Sequence, residues 1–422
     1  MIRQYDTLGE TLFFRKLPNG LTVAVVNRRG FQRKLAYFVT DFGSIHTDFE
    51  LDGVEHHTPA GVAHFLEHKM FELPGRDVTA EFASMGAHVN AFTSYDMTAY
   101  YFSCTENFDG NLRLLLEFVS TPYFEAESVR REQGIIDQEI RMNDDSPDTQ
   151  SFESLMNSMY RNHPIRVPIL GTSESIREIT PEILHTVHRA FYTPANMILC
   201  VVGDVDPENV CRITENVLGT EQKSAGRKLR QWQEEMTVGQ DSEKQMEVAM
   251  PSFQLGFKCE STGTGSDAIR QEVIGDLAAE ALFGESSLLY LRLYEEGLID
   301  SSFGGGFESV DGCALLTCGG DSEDPYAVRD RILEQAKLLL EQGIEESDFL
   351  RMKRSAMGRR IRDLDSFDST AFRVCAYHMS GFDYFRFPTV YTQVEIKDIL
   401  EFLQRVVRQE RCAISVIEPL SE

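Results

Sequence analysis

The first part of the chain contains short runs in which apolar and polar residues alternate. In "LPNGLTVAVVNRRG" an Asn-Gly turn precedes a β-branched run, and "KLAYFVTDFGS" continues the hairpin-like pattern of strands. Further on, apolar residues three or four apart predict helices, and other alternating runs predict strands. The predicted helices lie near residues 59–72, 77–85, 106–120, 125–142 and 180–192, and the predicted strands lie near 88–93, 97–103 and 196–203. This mixture of helices and strands indicates an α+β fold.

A polar stretch separates this part of the chain from a second part with similar elements. Residues 221–243 are charged and poor in aliphatic side chains, which is typical of a linker. Beyond it, the pattern predicts a strand near 246–258, helices near 267–296, strands near 301–319, further long helices and a last strand, "RCAISVIEPL". We therefore predict a first half of residues 1–220 and a second half of residues 244–422.

The two halves also show a trace of internal duplication. "PEILHTVHRAFYTPANMILCVV" resembles "IKDILEFLQRVVRQERCAISVI", so that Ile183 and Leu184 correspond to Ile399 and Leu400. At the same offset, His64 and His68 of the first half correspond to Glu280 and Gly284, so the second half lacks this pair of histidines. Because a helix followed by a strand is common, this match alone does not establish a duplication.

Length and composition narrow the class of protein. The 422 residues are 42% hydrophobic and 26% charged, which is ordinary for a globular protein, and the length favours two domains. No run of 18 apolar residues occurs, and the N-terminal residues lack the apolar segment of a signal peptide. We therefore predict a cytoplasmic protein without a membrane span.

Charge and cysteine usage exclude further classes. A formal net charge of −26 repels phosphate backbones and anionic lipids, so we expect neither nucleic-acid nor membrane partners. The eight cysteines are dispersed and form no C-x-x-C pair. This pattern predicts reduced, mostly buried thiols rather than a disulfide framework.

The segment "GVAHFLEHKMF" contains the strongest candidate for chemistry, namely His64, Glu67 and His68. On a helix, residues three and four positions apart share one face, so these side chains project together. Two imidazoles one turn apart can chelate zinc, and a carboxylate between them can take a proton from a zinc-bound water. The spacing predicts a zinc site with Glu67 as general base. The alternative is a chance grouping of polar residues on a helix.

A catalytic zinc needs a third protein ligand from elsewhere in the chain. "ESVRREQGIIDQEIRMNDDSPD" supplies two candidates, Glu132 and Glu139, which lie two helical turns apart on one face of a predicted helix. The residues alone leave both open, and carboxylates on an exposed helix are common. His46, His56 and His57 are rival ligands, but their predicted loop setting fits a metal site less well than the helical pair.

Taken together, these motifs resemble those of the pitrilysin/insulinase family of inverzincin metallopeptidases. The H-x-x-E-H sequence is followed by a helix with two glutamates. Between them, "MGAHVNAFTSYDMTAYYF" resembles the family's Asn-Ala-x-Thr segment, and "HPIRVPILGTSESIREIT" resembles its His-Pro and glycine-containing stretch. The resemblance covers essentially the whole chain and is strongest for the short, two-half bacterial members.

The resemblance implies a role for each of these residues. His64, His68 and Glu139 correspond to the family's zinc ligands, and Glu67 corresponds to its general base. Glu132 corresponds to the second glutamate, which supports the catalytic site without a required contact to the metal. The implied cofactor is therefore Zn²⁺.

The resemblance also implies a fold and a mode of substrate binding. The expected fold has two homologous α+β halves, each a mainly antiparallel sheet covered by helices, which enclose a chamber. Substrate peptides of the family add as an extended strand to a sheet edge, and "HVNAFT" resembles that edge. Asn90, Ala91 and Phe92 are accordingly expected to contact the substrate. The alternative is an ordinary hairpin strand.

One segment of the second half departs from the family's pattern. Many members carry there an arginine and a tyrosine that reach the substrate, but in "SSLLYLRLYEEGLIDS" the corresponding residues are Leu293 and Asp300. Arg292 and Tyr294 lie one position away from a match, which on a helix is a rotation of about 100°. We therefore predict a heterodimer in which a homologous subunit supplies the Arg/Tyr pair. A homodimer is the alternative.

The function predicted from the sequence is a zinc-dependent endopeptidase that cleaves extended oligopeptides. A non-catalytic scaffold is the first alternative, and the presence of all the expected ligands together with Glu67 argues against it. A second alternative is a partner dedicated to one pathway of peptide maturation, such as leader-peptide removal, or of translation-factor modification.

Overall fold

The computed structural model describes residues 1–229 and 232–421. The described residues form two compact units, each of which is assembled from several segments of the chain. Unit 1 contains residues 1–140, 167–229 and 361–386, and unit 2 contains residues 141–166, 232–360 and 387–421.

The strands and helices alternate along the whole chain. The strands are β1 (Ile2–Tyr5), β2 (Glu10–Lys16), β3 (Thr22–Asn27), β4 (Lys34–Thr40), β5 (Asp48–Leu51), β6 (Val54–His57), β7 (Glu72–Leu73), β8 (Arg76–Asp77), β9 (Ala87–Thr93), β10 (Thr98–Cys104), β11 (Met197–Gly203), β12 (Arg227–Lys228), β13 (Ser242–Met246), β14 (Ser252–Cys259), β15 (Gly304–Val310), β16 (Cys313–Asp321) and β17 (Cys412–Pro419). The α-helices are α1 (Val62–Met70), α2 (Val78–Ser84), α3 (Phe108–Ser120), α4 (Ala126–Asp144), α5 (Pro147–Met159), α6 (Pro181–Phe191), α7 (Pro207–Leu218), α8 (Ser266–Phe283), α9 (Leu288–Glu295), α10 (Pro325–Gln342), α11 (Glu346–Asp363), α12 (Phe367–Met379), α13 (Phe387–Gln393) and α14 (Ile396–Val406).

Unit 1 is built on a seven-stranded sheet with the strand order β1-β2-β3-β11-β4-β10-β9. The β3–β11 pair is parallel, and the other pairs are antiparallel. The predicted Asn-Gly turn joins β2 to β3, and β11 lies between β3 and β4. The two strands recognised first in the sequence are therefore separated in the sheet by a strand from much later in the chain.

The central strands of this sheet are covered on both faces. On one face of β4 and β11, Phe38 and Leu199 join the apolar core formed with α1, α3 and α6. On the other face, the thiol of Cys200 contacts that of Cys375 on α12. Strands buried on both faces read as continuous apolar runs, as "MILCVVG" does. All eight cysteines are buried, as the sequence analysis predicts for packing residues.

Unit 2 is built on a five-stranded sheet with the order β13-β17-β14-β16-β15, in which only the β13–β17 pair is parallel. Helix α5 packs on this sheet at Gly256 of β14. A Cβ atom at Gly256 would lie 3.0 Å from Met159 Cε and 3.4 Å from Leu155 Cδ2. Because glycine has no side chain, helix α5 can pack close to the sheet at this position.

The two units repeat the same topology. The series β3-β11-β4-β10-β9 of unit 1 has the same order and strand directions as the series β13-β17-β14-β16-β15 of unit 2. The helix and strand in which the sequence match was found, α6 and β11, correspond to α14 and β17 at the matching positions. The α+β class, the mainly antiparallel sheets and the homologous halves are therefore confirmed.

The compact units are not two contiguous halves of the chain, because each unit contains one helix that comes from the other half of the sequence. Residues 141–166, with α5, pack in unit 2, and residues 361–386, with α12, pack in unit 1. Within the predicted linker 221–243, β12 pairs with β5 of unit 1. The domain boundaries at residues 220 and 244 stay a prediction.

Most predicted elements coincide with observed ones, but not all. The helices predicted in the first half correspond to α1, α2, α3, α4 and α6, whereas α5 and α7 were not predicted. The strand predicted near 246–258 corresponds to β14, which begins only at Ser252, because residue 246 ends a separate strand, β13, on the opposite side of β17. Pro251 lies between β13 and β14 and has no N–H group to continue a ladder. Among the described residues, no helix is both long and apolar enough to cross a membrane.

His188 on α6 gives the stability of unit 1 a defined pH dependence. Its buried ring donates through Nε2 to the carbonyl oxygen of Val119 at 3.1 Å, and burial lowers its pKa to about 4. The unfolded chain, with a histidine pKa of about 6.5, takes up the proton first as the pH falls. The stability contributed by the neutral ring is therefore present above about pH 6.5 and is lost towards pH 4, by up to about 1.4 kcal/mol per pH unit.

We expect His188→Gln, which keeps an N–H donor but does not titrate, to flatten the pH dependence of the free energy of unfolding. The measurement is urea denaturation followed by circular dichroism between about pH 7 and pH 4.5. His185→Gln on the exposed side of the same helix is the control and should keep the wild-type slope. Equal slopes for wild type and His188→Gln would contradict the assignment.

Candidate metal centre

Helix α1 presents His64, Glu67 and His68 together, as the helical period requires. The helix begins after Gly61, whose φ of +86° lies in the left-handed region. A Cβ atom at Gly61 would lie 2.3 Å from the carbonyl oxygen of Leu170, so glycine is the residue that this entry into the helix allows. The other six residues of α1 are all buried, and packing therefore fixes the direction in which the two imidazoles point.

Helix α4 brings Glu139 to the two histidines. Glu139 Oε1 lies 3.8 Å from His64 Nε2, and Glu139 Oε2 lies 3.8 Å from His68 Nε2. One ligand atom from each residue lies within 4.8 Å of the other two. Zinc bonds of about 2.0–2.1 Å in a tetrahedral arrangement place neighbouring ligand atoms about 3.3–3.5 Å apart. Two imidazole nitrogens and one carboxylate at these separations therefore fit a zinc ion.

Glu132, one of the two carboxylates that the sequence left open, contacts the other nitrogen of His68. The Nδ1–H group of His68 donates to Glu132 Oε1 at 2.9 Å, and Glu132 is buried. A proton on Nδ1 leaves the lone pair on Nε2, which is the nitrogen that lies beside Glu139. A carboxylate that orients a ligand histidine in this way is usual around zinc. The two glutamates therefore occupy different positions: Glu132 lies beside Nδ1 of His68, and Glu139 lies beside the Nε2 atoms of both histidines.

The charges at the site perturb one another strongly. Burial and the neighbouring His68 lower the pKa of His64 to about 3, so its imidazole is neutral at pH 7, which is the form that binds metals. Burial lowers the pKa of His68, but the hydrogen bond and charge of Glu132, with the two other carboxylates, raise it above its ordinary value. Burial raises the pKa of Glu67. Such mutual perturbation of titratable groups is typical of functional sites.

Thr93 is a site residue that was not predicted. Its hydroxyl donates to Glu67 Oε2 at 2.7 Å, which fixes the carboxylate from the side of the sheet. The only signal for it in the sequence is its place as the last residue of the Asn-Ala-x-Thr segment. Because strand residues alternate between faces, Thr93 shares its face with Ala91.

Among the described residues, strand β9 is an edge of the seven-stranded sheet and pairs only with β10. Asn90 Oδ1 accepts the N–H of Ala91 at 2.9 Å. The ring of Phe92 lies 5.9 Å from that of Phe372 on α12, on the face opposite Thr93. The edge expected for an extended peptide is thus present beside Glu67, and the substrate contacts assigned to Asn90, Ala91 and Phe92 stay predictions.

The rival histidines lie elsewhere. His57 Nδ1 contacts Asp48 Oδ1 at 2.7 Å on the small β5–β6 sheet, with His56 beside it, and His46 Nδ1 accepts the N–H of Gly43 at 3.0 Å. Among the described residues, the only group of three or more metal-binding side chains is the one on α1 and α4.

The positions of the absent Arg/Tyr pair lie in unit 2. Leu293 is completely buried in α9, and the exposed Asp300 accepts the hydroxyl of Ser302 at 2.6 Å. Arg292 donates to Gln335 at 3.2 Å, and the Tyr294 side chain is exposed. The residues that occupy the two positions therefore cannot replace a guanidinium and a phenol.

Comparisons with known proteins agree with this architecture. Two family models match the chain: "Insulinase (Peptidase family M16)" over residues 53–173 and "Peptidase M16 inactive domain" over residues 178–356. The "Uncharacterized zinc protease YmfH" of Bacillus subtilis is 36% identical over 429 residues, which cover 99% of each chain.

Solved structures show the same relationship. The crystal structure of an M16-like peptidase from Alicyclobacillus acidocaldarius superposes with a TM-score of 0.93 at 32% identity, over 97% of this chain and 99% of that one. A protease from Helicobacter pylori superposes with a TM-score of 0.83 at 20% identity, over 97% and 99% of the two chains, and shows the shared fold.

The chain therefore belongs to peptidase family M16, the pitrilysin/insulinase family, and the resemblance stated from its motifs is confirmed. Its relatives carry names of zinc proteases and M16-like peptidases. The metal-ligand, general-base and substrate-binding roles of individual residues in this chain stay predictions.

We expect Glu132→Gln to weaken zinc binding about 10- to 100-fold. The Glu132 carboxylate orients the His68 ring and makes its Nε2 more basic, and the variant loses both effects. The measurement is a competition titration of the metal-free chain with a chromogenic zinc chelator. Glu127→Gln, an exposed substitution in the first turn of the same helix, is the matched control and should bind zinc like the wild type. Unchanged affinity in Glu132→Gln would show that the hydrogen bond does not serve the metal.

Proposed function

We propose that the chain is a zinc-dependent endopeptidase that cleaves extended oligopeptides and acts as the metal-bearing subunit of a dimer. The observation that carries the proposal is the convergence of His64 Nε2, His68 Nε2 and the Glu139 carboxylate on one point. Glu67 lies on the same helix as the two histidines. The names of the relatives support the same class of reaction. The cytoplasmic location stays a prediction.

The residues of the site divide the chemistry between them. His64, His68 and Glu139 would hold the zinc ion, which would supply Lewis acidity towards a peptide carbonyl and a water molecule. Glu67 takes a proton from the attacking water and later donates it to the leaving amine. The hydrogen bond from Thr93 holds Oε2 of Glu67, and we assign the proton transfer to Oε1.

The edge strand β9 provides the means to hold a peptide. Its free side offers backbone N–H and C=O groups, to which an extended chain can add as a further strand. Backbone pairing of this kind gives affinity with little selectivity for side chains. Thr93 connects the edge to Glu67, so a peptide paired with β9 lies next to the proposed base. An enclosed chamber, as the family resemblance implies, would exclude folded proteins.

We expect Glu67→Gln to lose peptide cleavage by a factor of about 10²–10⁴ while retaining zinc, because the amide cannot accept the proton. The readouts are cleavage of a peptide library, followed by mass spectrometry, and the zinc content of the purified chain. Glu106→Gln, at an exposed position outside the site, is the control. Equal cleavage by wild type and Glu67→Gln would contradict the assigned role. Absence of cleavage in every variant, with the partner present, would favour the scaffold.

The proposed partner follows from the second half. Leu293 is buried and Asp300 is acidic, so the described part of unit 2 offers no arginine and tyrosine at these positions. Such donors stabilise the negative charge that develops on the carbonyl oxygen during cleavage. A homologous subunit that carries the pair would complete the site, and we therefore infer a heterodimer.

We expect the chain alone to be a poor peptidase and a homologous M16 chain with the Arg/Tyr pair to raise its kcat/KM about a hundredfold or more, the usual effect of positioned oxyanion donors. The test mixes the two purified chains and follows cleavage of one fluorogenic peptide. Substitution of the partner's arginine by alanine should remove the increase without dissociating the complex. Full activity of this chain by itself would contradict the heterodimer.

A further inference from the structure

Unit 1 contains a cavity of about 510 Å³ that none of the residues of the metal centre lines. Its wall combines residues of α6 with the residues that follow this helix, the end of α3, the start of β11 and the end of α7. The volume lies within the range of about 300–1,000 Å³ that is usual for small-molecule sites. Because all the lining residues belong to unit 1, the cavity is complete within one compact unit.

About half of the lining of this cavity is apolar. Phe38 and Met197 are almost completely buried and contribute an aromatic ring and a flexible thioether to the wall. The ring of Tyr192 stacks on that of His188, with the centroids 4.9 Å apart. Such a wall favours the apolar body of a ligand, since contact with it removes apolar surface from water.

The mouth of the cavity is marked by its exposed lining residues and has a cationic excess. Arg189, Lys223 and His185 lie there together with a single carboxylate, Glu221. Lys223 has no ion pair within the described part of the chain. Arg189 lies 3.8 Å from Asp52, and because both side chains are more than 60% exposed, this pair is weak.

This mouth differs from the surface of the chain as a whole. The net charge is −26, so an exposed group of cations with one carboxylate is locally unusual. Within the lining, the two permanent cations and the one carboxylate leave about one positive charge, and Asp52 lies outside the lining and pairs only weakly with Arg189. An anionic group with a single charge balances this excess, whereas a phosphate ester with two charges exceeds it.

A buried hydroxyl in the wall is a second sign of a ligand. Thr193 is 3% exposed and lines the cavity, and its Oγ1 has no hydrogen-bond partner among the described residues. Buried polar groups are nearly always paired, because an unpaired one loses its hydrogen bonds to water without replacement. The cavity therefore combines apolar surface, an unpaired hydroxyl and cations at its mouth.

We propose that this cavity binds a small amphipathic monocarboxylate, with its aliphatic body against the apolar part of the lining and its carboxylate beside Lys223 and Arg189 at the mouth. The proposal does not depend on the assigned zinc chemistry. The outcome of the ligand-binding experiment and the outcome of the zinc and cleavage experiments are therefore independent. It rests on the shape, lining and charge of one cavity in unit 1.

The test is isothermal titration calorimetry of the full chain with octanoate, and with 1-octanol as the uncharged analogue of equal length. We expect one molecule of octanoate to bind per chain. Lys223→Ala should weaken octanoate about two- to fivefold, the usual effect of one exposed ion pair, and should leave 1-octanol unchanged. Lys16→Ala, at another exposed lysine of unit 1, is the matched control and should change neither.

A second variant tests the interior. Val217 lines the cavity and is half-buried, so Val217→Trp fills part of the volume and should weaken both probes at least about tenfold. Circular dichroism establishes that the variant is folded. The absence of saturable octanoate binding would overturn the proposal, as would equal octanoate affinity in wild type, Lys223→Ala and Val217→Trp.

Discussion

The docking of α4 on α1 is the constraint on which the candidate metal centre depends. The two histidines come from one turn of α1, but both glutamates come from α4, so the site exists only where the helices meet. Besides the bond from His68 to Glu132, the ammonium group of Lys69 lies between Ser128 of α4 and Glu72. Lys69 is completely buried, and its ion-pair partner Glu72 follows α1 directly in the chain, so α4 completes this group with the hydroxyl of Ser128. A buried donor that loses an acceptor is unfavourable, which favours the observed position of α4.

The sequence predicts well those features that depend on local periodicity. Helix α4 has Val129, Ile136 and Ile140 on its buried face, as the spacing of these residues indicates. The exchange of α5 and α12 between the units is different. Periodicity shows that a helix has an apolar face, but not which sheet that face covers. Helix α5 packs on Gly256, a position that becomes its neighbour only in the folded chain.

The same distinction explains what could be predicted of the site. The motif on α1 follows from spacing alone, and the helical period places Glu132 and Glu139 on one face. The choice between them depends on how α4 crosses α1, which sets Glu132 at Nδ1 of His68 and Glu139 at the Nε2 atoms. Thr93 depends on the position of β9 against α1. In the sequence it is one β-branched residue in a strand, which is ordinary for strands.

The most direct test of the metal centre is a crystal structure of the zinc-loaded chain, with diffraction data collected on both sides of the zinc absorption edge. We predict one anomalous peak per chain, bonded to His64 Nε2, His68 Nε2 and the Glu139 carboxylate at about 2.0–2.2 Å. The Glu132 carboxylate should remain on Nδ1 of His68. Zinc bound by other side chains, or zinc-saturated crystals without a peak between α1 and α4, would contradict this arrangement.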